Sequence, residues 1–185
     1  MMPGESLPPP WQTRWRVRIG YPVGIACFLL AHPTPSRLSA GAALAVIGLA
    51  IRAGAAGHLR KHESLATAGP YAWTRNPLYL GSLLLSAGFL IAAASWIAAA
   101  VAAMYVGALY PGVMRREEEE LRVEYGPAFD EYAGRVPRFW PRPPHVVAAE
   151  PFSWKQYRRN REYQALAGAA LAFAILTAEM IWRGR

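Results

Sequence analysis

An arginine, an asparagine and a tyrosine stand at one end of a long apolar run, and a pair of glutamates stands at the other. Gly69-Pro70-Tyr71 and Arg75-Asn76-Pro77-Leu78-Tyr79-Leu80-Gly81 open the run, and Glu117-Glu118 follows it. Asn76-Pro77 marks a helix start, because a residue before proline is pushed out of the α region while proline suits the first helical position. The Arg75 guanidinium, the Asn76 amide and the Tyr79 phenol then surround a helix N-terminus, whose partial positive charge favours a carboxylate. Glu117 and Glu118 are predicted to return to the same side, where they favour a cation. A zwitterion carrying a carboxylate and a sulfonium finds a partner there for each charge. Singly, the first element reads as a helix cap with a boundary arginine and the second as a solvated face. Their joint occurrence at the two ends of one hairpin points to a ligand site.

Other chemistries find less support. No Gly-x-Gly-x-x-Gly follows a strand pattern, which argues against a soluble dinucleotide fold. The four histidines are too few for a histidine-rich di-iron centre. His58 and His62 have metal-like helical spacing but no third ligand nearby, so no metal site is expected. His32 and His145 lie beside prolines and read as loop residues. Cys27 is the single cysteine, which excludes an intrachain disulfide and reads as a small buried hydrophobe.

The elements that must position this site are membrane spans. Of the 185 residues, 54% are apolar, and they cluster in blocks instead of amphipathic periods. Five blocks stand out: Val17 to Ala31, Leu38 to Ala56, Leu78 to Ala94, Trp96 to Val113 and Ala165 to Trp182. A span takes about 20 residues, so the run from Leu78 to Val113 is too long for one crossing. The expected fold is all-α: a polytopic membrane protein with about five transmembrane helices. The third and fourth are expected to form a tight hairpin turning at Ala94-Ser95-Trp96, and the fourth to break near Pro111-Gly112. The first block ends in Ala-His-Pro, unlike a signal-cleavage site, so it is expected to stay as a span.

With the N-terminus inside and five spans drawn, only Arg37, Arg183 and Arg185 of the 20 basic residues fall outside. The positive-inside rule therefore predicts an inner-membrane protein with a cytoplasmic N-terminus and an external C-terminus. The net charge of +8 is accounted for by anionic headgroups, and no nucleic-acid partner is expected. Residues 1 to 13 are Pro-rich and expected to be poorly ordered. Trp11 and Trp15, with Arg14, Arg16 and Arg18, read as an interfacial anchor. Arg52, near the end of the second span, reads as a boundary residue that snorkels. Met114 to Glu124 reads as a helix laced with i, i+4 ion pairs, each worth about 0.2–0.5 kcal/mol. The whole chain reads as one integral-membrane domain. Within it, 57–142 carries the candidate ligand site, 143–162 is a Pro-rich linker with an interfacial helix, and 163–185 is the last span.

These residues resemble the isoprenylcysteine carboxyl methyltransferase family, which is similar in turn to the phospholipid N-methyltransferases. The resemblance rests on Gly69-Pro70-Tyr71 through Gly81. It rests equally on Glu117-Glu118 followed by Leu121, Tyr125-Gly126, Phe129, Tyr132 and Val136-Pro137 at fixed offsets. It covers about residues 57 to 142 and implies an S-adenosylmethionine site enclosed by the third and fourth spans and the stretch after them. The resemblance puts His58, Gly69, Tyr71, Arg75, Asn76, Tyr79, Glu117, Glu118 and Tyr132 at the cofactor. Glu117, Arg75 and Arg116 would serve the reacting centre. The family usually has His where this chain has Asn76, which implies hydrogen bonding in place of proton transfer. Val113 stands where eukaryotic members carry Arg, and Arg115 or Arg116 is the alternative carboxylate partner.

The expected activity is methyl transfer to a lipophilic substrate entering from the bilayer, with carboxylate O-methylation ahead of amine methylation. The Ala- and Arg-rich composition looks bacterial. Two rivals stand beside it. Membrane sterol reductases carry a similar Arg-His-Pro-x-Tyr element and use NADPH, but are much longer. A non-catalytic membrane scaffold with a worn site is the other.

Overall fold

The computed structural model describes residues 11–61, 63–144 and 150–183, excluding the side chains of 11–17. The expected disorder of the N-terminal segment, the Trp11/Trp15 anchor, and His62 and His145 thus lie wholly or largely outside the described residues.

Seven α-helices and no strand occur among the described residues. They are α1 (Trp11–Leu29), α2 (Pro35–His58), α3 (Pro77–Ala93), α4 (Trp96–Tyr125), α5 (Pro127–Arg135), α6 (Trp154–Arg159) and α7 (Tyr163–Arg183), with a 3-10 turn at Gly69–Ala72 ahead of α3. Proline sets several of these starts: Pro35, Pro77 and Pro127 each occupy the first turn of a helix, where a missing N–H costs nothing. Ala94 ends α3 in the left-handed region at φ 55°, and the Ser95 hydroxyl caps α4 by accepting from the Ala98 N–H. Gly126, at φ 53° and ψ −128°, separates α4 from α5 in a backbone conformation suited to glycine.

Three helices have the length and apolar character of a membrane span: α2, α4 and α7. The 17 residues of α3 and the apolar section Arg18–Leu29 of α1 are shorter. The expected break at Pro111-Gly112 does not occur. Pro111 lies inside the 30-residue α4, which runs on to Tyr125. Proline removes one hydrogen bond and crowds the carbonyl four residues back. The strong helix formers beyond Met114 then carry the helix on.

The closest packing of α3 is with α2, while α4 rests mainly on α1. Glycines explain the α2–α3 pairing. A Cβ at Gly41 would lie 2.3 Å from the Gly88 carbonyl oxygen, and one at Gly48 would lie 2.6 Å from that of Gly81. Backbones meet directly along this seam, as in small-residue packing within membranes. At the far end of α3, Ala31, Ala92, Ala93 and Leu176 form a buried cluster that ties α1, α3 and α7 together. Phe28 and Phe89 pack edge to face beside it at 4.8 Å. The other end of α3 is left free to carry polar groups.

Candidate functional site

The first turn of α3 is held by a strap of chain from 137 to 142. The Arg75 N–H donates to the Pro137 carbonyl at 2.9 Å and the Arg142 N–H to that of Trp73 at 3.0 Å. Buried Thr74 donates its hydroxyl to the Phe139 carbonyl at 2.9 Å. The Asn76 side-chain amide donates to the Arg138 carbonyl at 2.9 Å. Backbone groups that would otherwise be orphaned are thereby satisfied, and Arg75 and Asn76 acquire fixed positions.

Glu118 is the hub of the charged cluster. It is 4% exposed and takes hydrogen bonds from Arg138 at 2.8–2.9 Å and a long one from Asn76 Nδ2 at 3.5 Å. Arg75 Nε lies 3.4 Å from the same carboxylate. That contact is an ion pair only: Arg75 Nε is buried and has no hydrogen-bond partner among the described residues. A buried donor left open in this way costs about 1–3 kcal/mol unless a ligand fills it. Glu117, on the neighbouring position of α4, accepts a hydrogen bond from the Tyr79 hydroxyl at 2.6 Å, and the Tyr79 ring packs edge-on against Tyr110.

Behind these groups α5 supplies buried Phe129 and Tyr132, and the Tyr132 hydroxyl donates to the Tyr71 carbonyl at 2.8 Å. Burial, then the proximity of Tyr132 and Glu117, pushes the Tyr71 phenol above the usual tyrosine range. Burial raises Tyr132 likewise, against the lowering effect of Arg75. Both phenols are therefore neutral at any physiological pH. A raised folded pKa means stability that is intact below the unfolded value of about 10 and is lost as pH rises above it. Ultraviolet titration of the nine tyrosines is expected to show these two ionising only together with alkaline unfolding. The variant Tyr71→Phe, Tyr132→Phe should shift that unfolding to higher pH.

A cavity of about 870 Å³ opens among these elements, within the usual range for ligand sites of roughly 300–1,000 Å³. Tyr71, Arg75, Asn76, Tyr79, Glu117, Glu118 and Tyr132 all line it, so seven of the sequence-predicted residues are brought together. Three are not among its lining residues. The His58 ring nitrogens lie 2.7 and 3.1 Å from the Gly54 and Glu150 carbonyl oxygens. Gly69, at φ 58°, packs on that ring so closely that a Cβ would come within 2.6 Å of it. Arg116 pairs with Glu120 at 2.7 Å along α4. Val113 is buried against protein.

Sequence reading missed Arg138 and misassigned Arg52. Arg138 directly follows the Val136-Pro137 element, and that adjacency was its only signal. Arg52, expected to snorkel outward, instead faces inward, lines the cavity and forms an ion pair with Glu162 at 2.6 Å. A charge within an apolar helix is a functional candidate by default, and that was the available signal.

Fold and site together define a helical protein with membrane-span helices and a charged chamber at one end of its closest helix pair. The model of the phospholipid methyltransferase family matches residues 25–128, and this chain belongs to that family. Among curated relatives, the cobalt-zinc-cadmium resistance protein CzcN of Cupriavidus metallidurans is 41% identical over 83 residues, which are 45% of this chain and 38% of that protein. The nickel-cobalt-cadmium resistance protein NccN of Alcaligenes xylosoxydans xylosoxydans is 39% identical over 83 residues, with the same coverage. The matched stretch thus spans well under half of either relative. No solved structure matches the chain.

Proposed function

We propose that this chain transfers a methyl group from S-adenosylmethionine to a carboxylate of a lipophilic, isoprenylcysteine-like acceptor at the cytoplasmic face of the inner membrane. In this reading α1 and α3 join α2, α4 and α7 as five crossings, with the N-terminus cytoplasmic and α3–α4 the hairpin that frames the site. The observation that carries the proposal is the open Arg75 Nε beside the Tyr79–Glu117 pair in one chamber.

The residues present fit the cofactor. The N-terminal end of α3 suits the cofactor's carboxylate, Glu117 suits its sulfonium, and the aromatic wall of Tyr71, Phe129 and Tyr132 suits a flat ring. When bound, the cofactor supplies an electrophilic methyl carbon. The chain supplies orientation: Arg75 steers a carboxylate, the Tyr79 hydroxyl fixes the Glu117 carboxylate, and buried aromatics exclude water from a charge-neutralising reaction. Asn76, engaged with Arg138 and Glu118, orders the site and moves no proton. Arg116, engaged with Glu120, leaves substrate orientation to Arg75. Glu117 is also a proton acceptor within the chamber, which favours an amine headgroup as the second reading.

Calorimetric titration in detergent tests the reading. Micromolar binding of S-adenosylmethionine and none of NADPH is expected, with Glu117→Gln weakening it about tenfold, the loss of one charge-assisted contact. Binding of NADPH alone would move the chain to the reductases, and binding of neither would favour a scaffold. Methylation of a prenylcysteine analogue against phosphatidylethanolamine then separates carboxylate from amine acceptors.

A further inference from the structure

We infer that Arg52 of α2 and Glu162, just ahead of α7, form a clamp that fixes the first turn of α3 and, through it, Tyr79. The corner between α6 and α7, outside the two motifs that carry the resemblance, thereby becomes a positioning part of the site. The kinetic side of this inference rests on the methyl-transfer reading; the structural side does not.

Every face of the Arg52 guanidinium is engaged. Nε and Nη2 donate to the two Glu162 carboxylate oxygens at 2.6 and 3.0 Å. Nη1 donates to the Ser82 hydroxyl and, at 3.5 Å, to the Leu78 carbonyl. Ser82 in turn donates to that same carbonyl at 2.7 Å. The Leu78 carbonyl belongs to the peptide bond whose nitrogen is that of Tyr79. Holding that peptide plane holds the direction in which the Tyr79 side chain leaves, and its hydroxyl must reach Glu117. Gly81 makes the approach possible, since a Cβ there would come 2.6 Å from Arg52 Cγ.

The pair is not needed to dock these elements. The α2–α3 seam is already closed by its glycines. The α6–α7 corner is already fastened to the end of α2, where the Asn160 amide donates to the Ala56 and Leu59 carbonyls at 2.9 Å each. The Ser153 N–H adds a bond to the Gly57 carbonyl. A buried ion pair carries a desolvation penalty that apolar packing would avoid. The placement of Arg52 on the cavity wall, beside Leu78, Tyr79 and Ser82, is what the docking roles leave unexplained.

The test pairs hydrogen exchange with kinetics on the full chain in detergent, using Arg52→Lys, Glu162→Gln and Ser82→Ala, each first shown monodisperse. In the ligand-free protein, amides of 80–83 are expected to exchange about tenfold faster in the variants while those of mid-α7 do not change. Unchanged exchange at 80–83 in all three overturns the clamp. For methyl transfer, Arg52→Lys is expected to lower kcat by about tenfold or more with little change in cofactor affinity, as a small misplacement does. In a Tyr79→Phe background the same change should cost less than about threefold, because the two act in series. Full additivity overturns positioning through Tyr79 even if exchange has risen. Should the unaltered protein transfer no methyl group, the functional reading fails, and the exchange result still decides the clamp.

Discussion

Glu118→Ala is expected to destabilise the protein by about 3 kcal/mol or more and to abolish cofactor binding, the largest effect of any single polar change. Removing one partner of a buried pair typically costs about 3–5 kcal/mol, because the other charge is left uncompensated. The two arginines differ here. The Arg138 side chain is half exposed and rehydrates, whereas that of Arg75 is only 12% exposed and does not. Discounting Arg138 for solvent screening places the expectation at the lower end of that range. Glu118→Gln keeps an acceptor for Arg138 but loses the charge, so it should fall between the alanine variant and the native chain. Thermal melting in detergent checks both. A melting point for Glu118→Ala indistinguishable from the native one would mean the carboxylate is not the hub its geometry makes it.

Gly48→Ala should be nearly as damaging, though it touches no charged residue. The added Cβ would meet the Gly81 carbonyl oxygen and the Leu85 nitrogen, each at 2.6 Å. Both are backbone atoms in the facing helix, so neither can rotate away. Overpacking commonly costs about 1–3 kcal/mol, and here the strain must be relieved by moving α3 as a body. Arg75 and Asn76 lead directly into α3 and Tyr79 lies in its first turn, so affinity for S-adenosylmethionine should drop with stability. Gly168→Ala in α7 is the control: nothing lies within 4 Å of a Cβ there. Alanine is the better helix former by about 0.8–1 kcal/mol in a helix interior, so this variant should melt no lower than the native chain. If Gly48→Ala behaved like Gly168→Ala, the α2–α3 seam would be looser than these distances allow.

Much of the fold was written in local signals. Pro77 after Asn76 starts α3, and Ser95 caps α4; both follow from the backbone preferences of proline and from side-chain capping. The site residues Arg75, Tyr79, Glu117 and Glu118 were legible because they bracket one apolar run. Pairing between helices was not legible. Connectivity suggested that α3 would pack mainly on its neighbour α4, but glycine spacing in α2 and α3 lets those backbones meet first. Pro111 misled because the hydrogen bond it removes is outweighed by the strong helix formers beyond Met114. Arg52 was read by its nearness to a helix end, and its direction depends on Glu162, 110 residues further on. No local pattern carries that information.

The strap from 137 to 142 bears on the order in which the chain is made. At roughly 5–20 residues per second of synthesis, α2 and α3 can close their glycine seam while the strap is still being polymerised. Until Arg138 emerges, Glu118 has only Arg75 as a charged partner, the Arg75 backbone N–H lacks the Pro137 carbonyl, and the Asn76 amide keeps only its long bond to Glu118. A nascent chain stopped after α5 would therefore have α2 and α3 paired and its chamber unformed. The site is thus a late product of translation, completed by a stretch of loop whose one charged contribution to it is Arg138.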